Sequence, residues 1–436
     1  MNKKYLKGLL SLSLSGLMAA SLAAPVFAAT DTNVEAYITK EFDMPVGTEF
    51  TSKTFNFSLG ELQKDGTKMT GKNETLESKE ITIKKEDNHF VRNSDSNNEK
   101  RYNSYLHYTD LLSDSDKEVL TKDPGQYSFL ITETADQQVP PTTENGVKHT
   151  TNLTYSKAVY KAELYVKTKT DGTNYISSIK VTKEKDDTGT EITSVNEKKV
   201  DPSKPDGTDD GKGGLRFVNT FTDKIETTGD PGEIPDPDPK NPTNTDNRDK
   251  VLSVGKIVNG DLADKNKYFE FSVKVTQPSL VTTTNETYKA KIFKAANGGQ
   301  DTDKTKNPNM DDKGEFSFTS GSDPVKVYLA HGEKLVFENL YVGTAFEAQE
   351  TEANNLYTPL TYVKFNSGNP ETKSQGNANV TGNVSEGTDT VVVVNTRNST
   401  SPTGIVVNNL PYILLVLGVV AGFAGYIASK RRREVR

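Results

Sequence analysis

Apolar residues recur at every second position in both halves of this chain. Phe55, Phe57 and Leu59 alternate with polar residues, and so do Phe269, Phe271, Val273 and Val275. Side chains of a strand leave on opposite faces with a period of two, so runs of this kind make half-buried strands rather than helices. Turn residues separate the runs, and few long helical periods occur. The chain is therefore expected to be all-β. The stretch Tyr102–Thr121 is read as carrying a short helix in a long insertion.

Proline divides the pattern. Gly229-Asp230-Pro231-Gly232 is followed by Pro235-Asp236-Pro237-Asp238-Pro239, a composition that holds a segment extended and semi-rigid. We read 223–250 as a linker between a β-domain at 29–222 and a second at 251–398. Each has the length and turn spacing of an immunoglobulin-like β-sandwich. The two domains also read as repeats of one another.

The ends have a separate grammar. Lys3, Lys4 and Lys7 precede an apolar run that closes on Val26-Phe27-Ala28, the pattern of a secretory signal peptide over 1–28. At the other end, Leu410–Ala428 is apolar and uncharged, long enough to span a bilayer, and we place a transmembrane helix at 410–429. The basic tail 430–436, beginning Lys430-Arg431-Arg432-Arg433, would stay on the cytoplasmic side. A polar stem at 399–409 joins this span to the second domain.

Composition narrows the function. An exported chain with no cysteine has no disulfides, so its stability outside the cell must come from another source. The formal charge of −7 argues against nucleic-acid binding, which needs a basic face. The four histidines are scattered without metal-ligand spacing, and no cofactor motif is present. No Ser/His/Asp or Cys/His set and no phosphate loop points to an enzyme, although a carboxylate pair could hide in so acidic a chain.

The most informative residues are polar ones on apolar faces. In each half an early strand carries a lysine, a later strand ends in glutamate, and the last carries asparagine: Lys40, Glu133 and Asn219, then Lys256, Glu350 and Asn395. Counting by twos, Lys40 shares its face with Ala36, Ile38 and Phe42, and Lys256 with Leu252, Val254 and Val258. Glu133 lies with Phe129 and Ile131, and Glu350 with Phe346 and Ala348. Asn219 lies with Leu215, Phe217 and Phe221. Asn395 lies with Val391 and Val393, although Val392 and Val394 blur the phase.

A buried lone charge neutralises rather than stay charged. A buried lysine tends to lose its proton and a buried glutamate to gain one. A neutral lysine amine is a nucleophile, and a protonated carboxyl can shuttle protons. Set against an asparagine amide, the amine could expel ammonia and leave an isopeptide bond, a single-turnover self-modification. The ordinary alternative is a lysine that snorkels at a strand edge, an exposed glutamate and an asparagine before a turn. The same ordered trio in both halves favours the reactive reading.

These residues resemble the isopeptide domains of streptococcal backbone pilins, including the T-antigen pilins. The marks are the first-strand lysine, the glutamate-ending strand, the Phe217-Val218-Asn219-Thr220-Phe221 strand, and Gly332-Glu333-Lys334-Leu335-Val336-Phe337 before Phe346. The second domain departs from the pattern where valine replaces phenylalanine around Asn395. The resemblance implies lysine–asparagine bonds in both domains, with Glu133 and Glu350 as the assisting catalytic groups. Each bond would tie a first strand to a last strand. Closing loops that long would stabilise by roughly 5 kcal/mol each if the bond acts like a disulfide.

Ser401-Pro402-Thr403-Gly404, ahead of the apolar span and basic tail, is similar to a sortase cell-wall sorting signal. It departs from the commonest form, Leu-Pro-x-Thr-Gly. The resemblance implies cleavage after Thr403 by a pilin-type or housekeeping sortase. It also implies attachment to peptidoglycan or to a lysine of another copy, for which Lys212, Lys204 and Lys240 are the candidates in that order. The expected protein is a pilus shaft subunit on the cell wall of a Gram-positive bacterium, supporting adhesion. The alternative is a singly anchored adhesin or minor pilin that binds a host surface ligand.

Overall fold

The computed structural model describes residues 34–70, 75–87, 101–144, 147–205, 213–227, 251–294, 299–351, 356–366, 371–375 and 379–399, with Phe27–Ala28 and Val419. Within these residues the chain folds as two tandem β-sandwiches.

In the N-terminal domain, one sheet sets Arg101–Asp110, Tyr37–Pro45, Leu215–Thr227, Val147–Thr154 and Thr142–Glu144 side by side. The facing sheet is ordered Asn174–Lys185, Val159–Thr168, Gly125–Thr134, Ser52–Lys64 and Thr67–Lys68, with Phe27–Ala28 at its outer edge and Lys79–Lys84 also on Ser52–Lys64. Phe55, Phe57, Phe129, Ile131, Leu164 and Phe217 fill the space between the sheets. The alternation of Phe55, Phe57 and Leu59 is thus spent on one buried face.

The C-terminal domain repeats the plan. Its larger sheet runs Gln300–Asp301, Thr287–Lys294, Glu333–Phe337, Leu252–Asn259, Asp389–Thr396, Thr358–Lys364 and Glu371–Gln375, with Glu315–Thr319 also on Thr287–Lys294. The smaller runs Val325–Leu329, Phe269–Thr276, Ala345–Glu350 and Val380–Asn383. Phe269, Phe271, Val273 and Val275 alternate into the core between them. In both domains the first and last strands are neighbours and run parallel.

The last strand of the N-terminal domain runs through Asp223 to Thr227, into the segment read as linker. It continues because Ile225 still has a core to enter, packing with the C-terminal cluster. Residues 224–226 pair with Asn339–Tyr341 of the second domain. Val342 N donates to Asp223 O, and Glu386 N to Gly47 O. Gly47 has φ +93°, and a Cβ there would come 2.7 Å from Val384 O, so the close approach of the domains requires glycine.

The helix is shorter than the stretch in which it was expected. Arg101–Asp110 is a strand paired with Tyr37–Pro45, and only Asp114–Leu120 is helical. Its start is a capping box in which Ser113 and Asp116 bond reciprocally. The three tyrosines at 102, 105 and 108 suit a pleated strand, and pairing with the first strand decides the outcome.

Candidate functional site

Each trio assembles across its sandwich. Lys40 and Asn219 stand on neighbouring parallel strands, and Glu133 reaches them from the opposite sheet. Lys40 pairs with Phe217 and Asn219 with Phe42, so the asparagine lies one same-face position along from the lysine. Lys256 pairs with Val393 and Asn395 with Val258, the same offset. Glu350 again comes from the opposite sheet.

The glutamate holds both partners at once. Lys40 Nζ donates to Glu133 Oε2 at 3.1 Å, and Asn219 Nδ2 donates to Glu133 Oε1 at 2.7 Å. In the second domain Lys256 Nζ donates to Glu350 Oε2 at 2.5 Å and Asn395 Nδ2 to Glu350 Oε1 at 2.7 Å. Lys40, Lys256 and Asn219 are each 0% exposed, and Asn395 is 2% exposed. Asn395 therefore belongs to the inner face with Val391 and Val393, while Val392 and Val394 pack on the other side with Ile257.

Aromatic rings finish the enclosure. The Lys40 amine lies 4.6 Å from the Phe55 ring centre and the Lys256 amine 4.3 Å from that of Phe269. These rings belong to the alternating runs of the sequence, but nothing in the pattern tied them to the lysines. Burial pulls Lys40 down to about 8 against the opposing attraction of Glu133. It pulls Lys256 down to about 8 against Glu350. Burial likewise raises Glu133 above the usual carboxyl range, outweighing the Lys40 charge. Desolvation thus moves Lys40 and Glu133 toward one another in proton affinity, the condition for passing a proton between them.

The two sites differ in one respect. Ser156 N donates to Asn219 Oδ1 at 2.7 Å. Among the described residues Asn395 Oδ1 is buried without a hydrogen-bond partner. An amide N–H on the side-chain carbonyl is placed to stabilise negative charge developing there during attack. Sequence patterning carries no sign of it, because the donor is backbone. A cleft of about 460 Å³ lined in part by Glu133, Tyr155 and Ser156 borders the first site.

The remaining sequence-derived sites fall elsewhere. Lys204 is exposed, in the 201–205 segment. Lys212, Lys240, Ser401, Pro402, Thr403 and Gly404 lie outside the described residues, as do the signal peptide apart from Phe27–Ala28 and the 410–429 span apart from Val419. Among the described residues no helix is long and apolar enough to cross a membrane, and no group of three or more His, Asp or Glu side chains could hold a metal ion.

Residues 250–397 match a family described as a domain of unknown function (DUF7601). No curated protein matches the chain. Among solved structures it is similar to the major pilin from Streptococcus pyogenes, at 16% identity over 84% of this chain and 100% of that chain, TM-score 0.32. It is also similar to the T3.2 major pilin protein of that species, at 17% identity over 84% of this chain and 99% of that chain, TM-score 0.30. A pilus-presented adhesin aligns at 16% identity over 55% of this chain and 36% of its own, TM-score 0.24.

Proposed function

We propose that the chain is a sortase-joined pilus shaft subunit whose two domains each close a lysine–asparagine isopeptide bond without help. The observation that carries this reading is the duplicated trio: lysine, glutamate and asparagine at one register offset, all withdrawn from water. A buried ion pair is a poor source of stability, since desolvation offsets its attraction. Two independent copies of so costly an arrangement favour chemistry over packing.

The reaction follows from the contacts. The glutamate takes a proton from the lysine, leaving a neutral amine and a neutral acid. Nζ attacks the asparagine Cγ, and the Nζ–Cγ bond forms. The glutamate then delivers its proton to Nδ2 and takes the surplus proton from Nζ. The Cγ–Nδ2 bond breaks and ammonia departs, leaving a neutral amide beside a protonated glutamate. Fixed placement on adjacent strands replaces the encounter of two free reactants. In the first domain the cleft beside Glu133 gives ammonia a short way out.

The ends of the fold suit end-to-end joining. In the N-terminal domain the first and last strands run toward the second domain, where Pro45 and Gly47 meet Gly343 and Val384. Their starts mark the far end, where Tyr37 N donates to Pro202 O close to Lys204. In the second domain the last strand starts beside this joint and ends at Thr396, at the opposite tip. Candidate acceptor Lys204 and Ser399, the last described residue before Thr403 in the sequence, thus lie at opposite ends. Sodium dodecyl sulfate-resistant ladders that vanish on Thr403→Ala would support the shaft reading. A single species released by wall digestion would instead favour the adhesin or minor pilin.

A further inference from the structure

The chain leaves the C-terminal domain under restraint. Ser399 N donates to Asp261 Oδ1 at 2.6 Å, and Ser399 Oγ donates to the other carboxylate oxygen. These bonds hold the Asp261 carboxyl below its usual range. Asp261 sits in the loop after the first strand, which is itself tied to the last: Leu262 N donates to Arg397 O at 3.1 Å. Gly260 turns there with φ +105°, and a Cβ would run into the Arg397 backbone. The stem is therefore pinned as far as Ser399.

Only four residues lead from Ser399 to Thr403. Fully extended, at 3.3–3.6 Å per residue, they reach about 14 Å. An acceptor amine on another copy must come within that short distance of the clamp, so the two bodies must press together.

The surface around the clamp suits such a contact. Large apolar side chains are scarce on the described exterior, yet Leu262 is 51% exposed and Leu356 is 56% exposed. Both belong to this tip, since the hydroxyl of Tyr357, next to Leu356, accepts from Asp264 N at 3.0 Å. Single exposed leucines are ordinary, but two at the tip from which so short a tether leaves favour that end as a contact face.

We propose that this tip, with Asp261 clamping the stem and Leu262 and Leu356 beside it, is the face on which a second copy of the chain seats the far end of its N-terminal domain for joining. The proposal rests on the sortase reading above. It is tested in the full-length chain expressed in the bacterium that encodes it, by comparing ladder yield for the unaltered chain, Thr403→Ala, and Leu262→Asp combined with Leu356→Asp. The double variant is expected to lose about tenfold in ladder yield, equivalent to about 1.4 kcal/mol of docking. Its monomers should still reach the surface with two ammonia losses, the sign of intact folding. If those monomers are missing, the milder Leu262→Ser variant supplies the comparison. Ladders at unaltered yield in a folded variant would overturn the docking face and leave the sortase reading standing. Absence of Thr403-dependent ladders from the unaltered chain would overturn both.

Discussion

Lys256 Nζ lies 2.5 Å from Glu350 Oε2, with the two side chains 0% and 1% exposed. A pair this close and this dry can hold its proton on either partner. The neutral amine and neutral acid contain the same number of protons as the ion pair, so the reactive form is a tautomer of the resting one.

That equivalence sets the pH dependence of bond closure. At low pH Glu133, its carboxyl raised by burial, takes up its own proton and can no longer relieve Lys40. Above about 8, where Lys40 and Lys256 release their protons, the shared proton is gone and the leaving nitrogen has no donor. Chain refolded from an unreacted, denatured state should lose ammonia fastest at intermediate pH and more slowly above about 8. A rate that keeps climbing with pH would mean that amine deprotonation alone limits closure.

Glu133→Ala should remove one bond and leave the other. The variant should lose one ammonia rather than two. Its N-terminal domain should melt earlier, by an amount that reflects about 5 kcal/mol of lost loop closure. Differential scanning calorimetry and intact mass together check this. Two ammonia losses in the variant would remove Glu133 from its assigned role.

The Ser156 amide gives the first site an advantage that the second lacks. One hydrogen-bond donor on a developing oxyanion is worth roughly a hundredfold in rate. Closure in the N-terminal domain should therefore precede closure in the C-terminal domain by about that factor, as timed by peptide mapping during refolding. Ser156→Pro, which deletes the donor, should bring the two rates together.

Much of this arrangement was legible because a strand has only two faces. Counting by twos put Lys40, Glu133 and Asn219 on apolar sides, and all three prove to be turned inward. The count could not say that lysine and asparagine share one sheet while the glutamate faces them, since that depends on pairings between residues far apart in the chain. Asn395 was blurred because four valines in a row fit both faces, and only the packing of Val392 and Val394 against Ile257 separates them. The strand at Arg101–Asp110 was hidden for a similar reason: its place is decided by Tyr37–Pro45, not by local preference. The extension of the last strand to Thr227 depends on Ile225 finding the core of the other domain.

The joint between the domains should respond to acid. Glu386 is pushed up to about 7, first by burial and then by the nearby charges of Asp223 and Glu49, with His149 acting in the opposite sense. His149 Nδ1 and Asp223 Oδ2 lie 2.7 Å apart, and Glu49 N donates to Glu386 Oε1. A carboxyl whose folded value is raised contributes stability below its unfolded value of about 4.3, and loses that contribution as pH climbs through the folded one. The joint should therefore loosen between about 4.3 and about 7, read by small-angle scattering, and Glu386→Gln should flatten the response. An unchanged response in that variant would place the titration elsewhere.

Intact mass of the folded ectodomain, followed by fragment spectra, tests the account most directly. It should be lighter than its sequence by two molecules of ammonia, with branched peptides joining Lys40 to Asn219 and Lys256 to Asn395. Full sequence mass, with all four side chains unmodified, would contradict the account and leave two sandwiches held by apolar packing and hydrogen bonds without covalent ties.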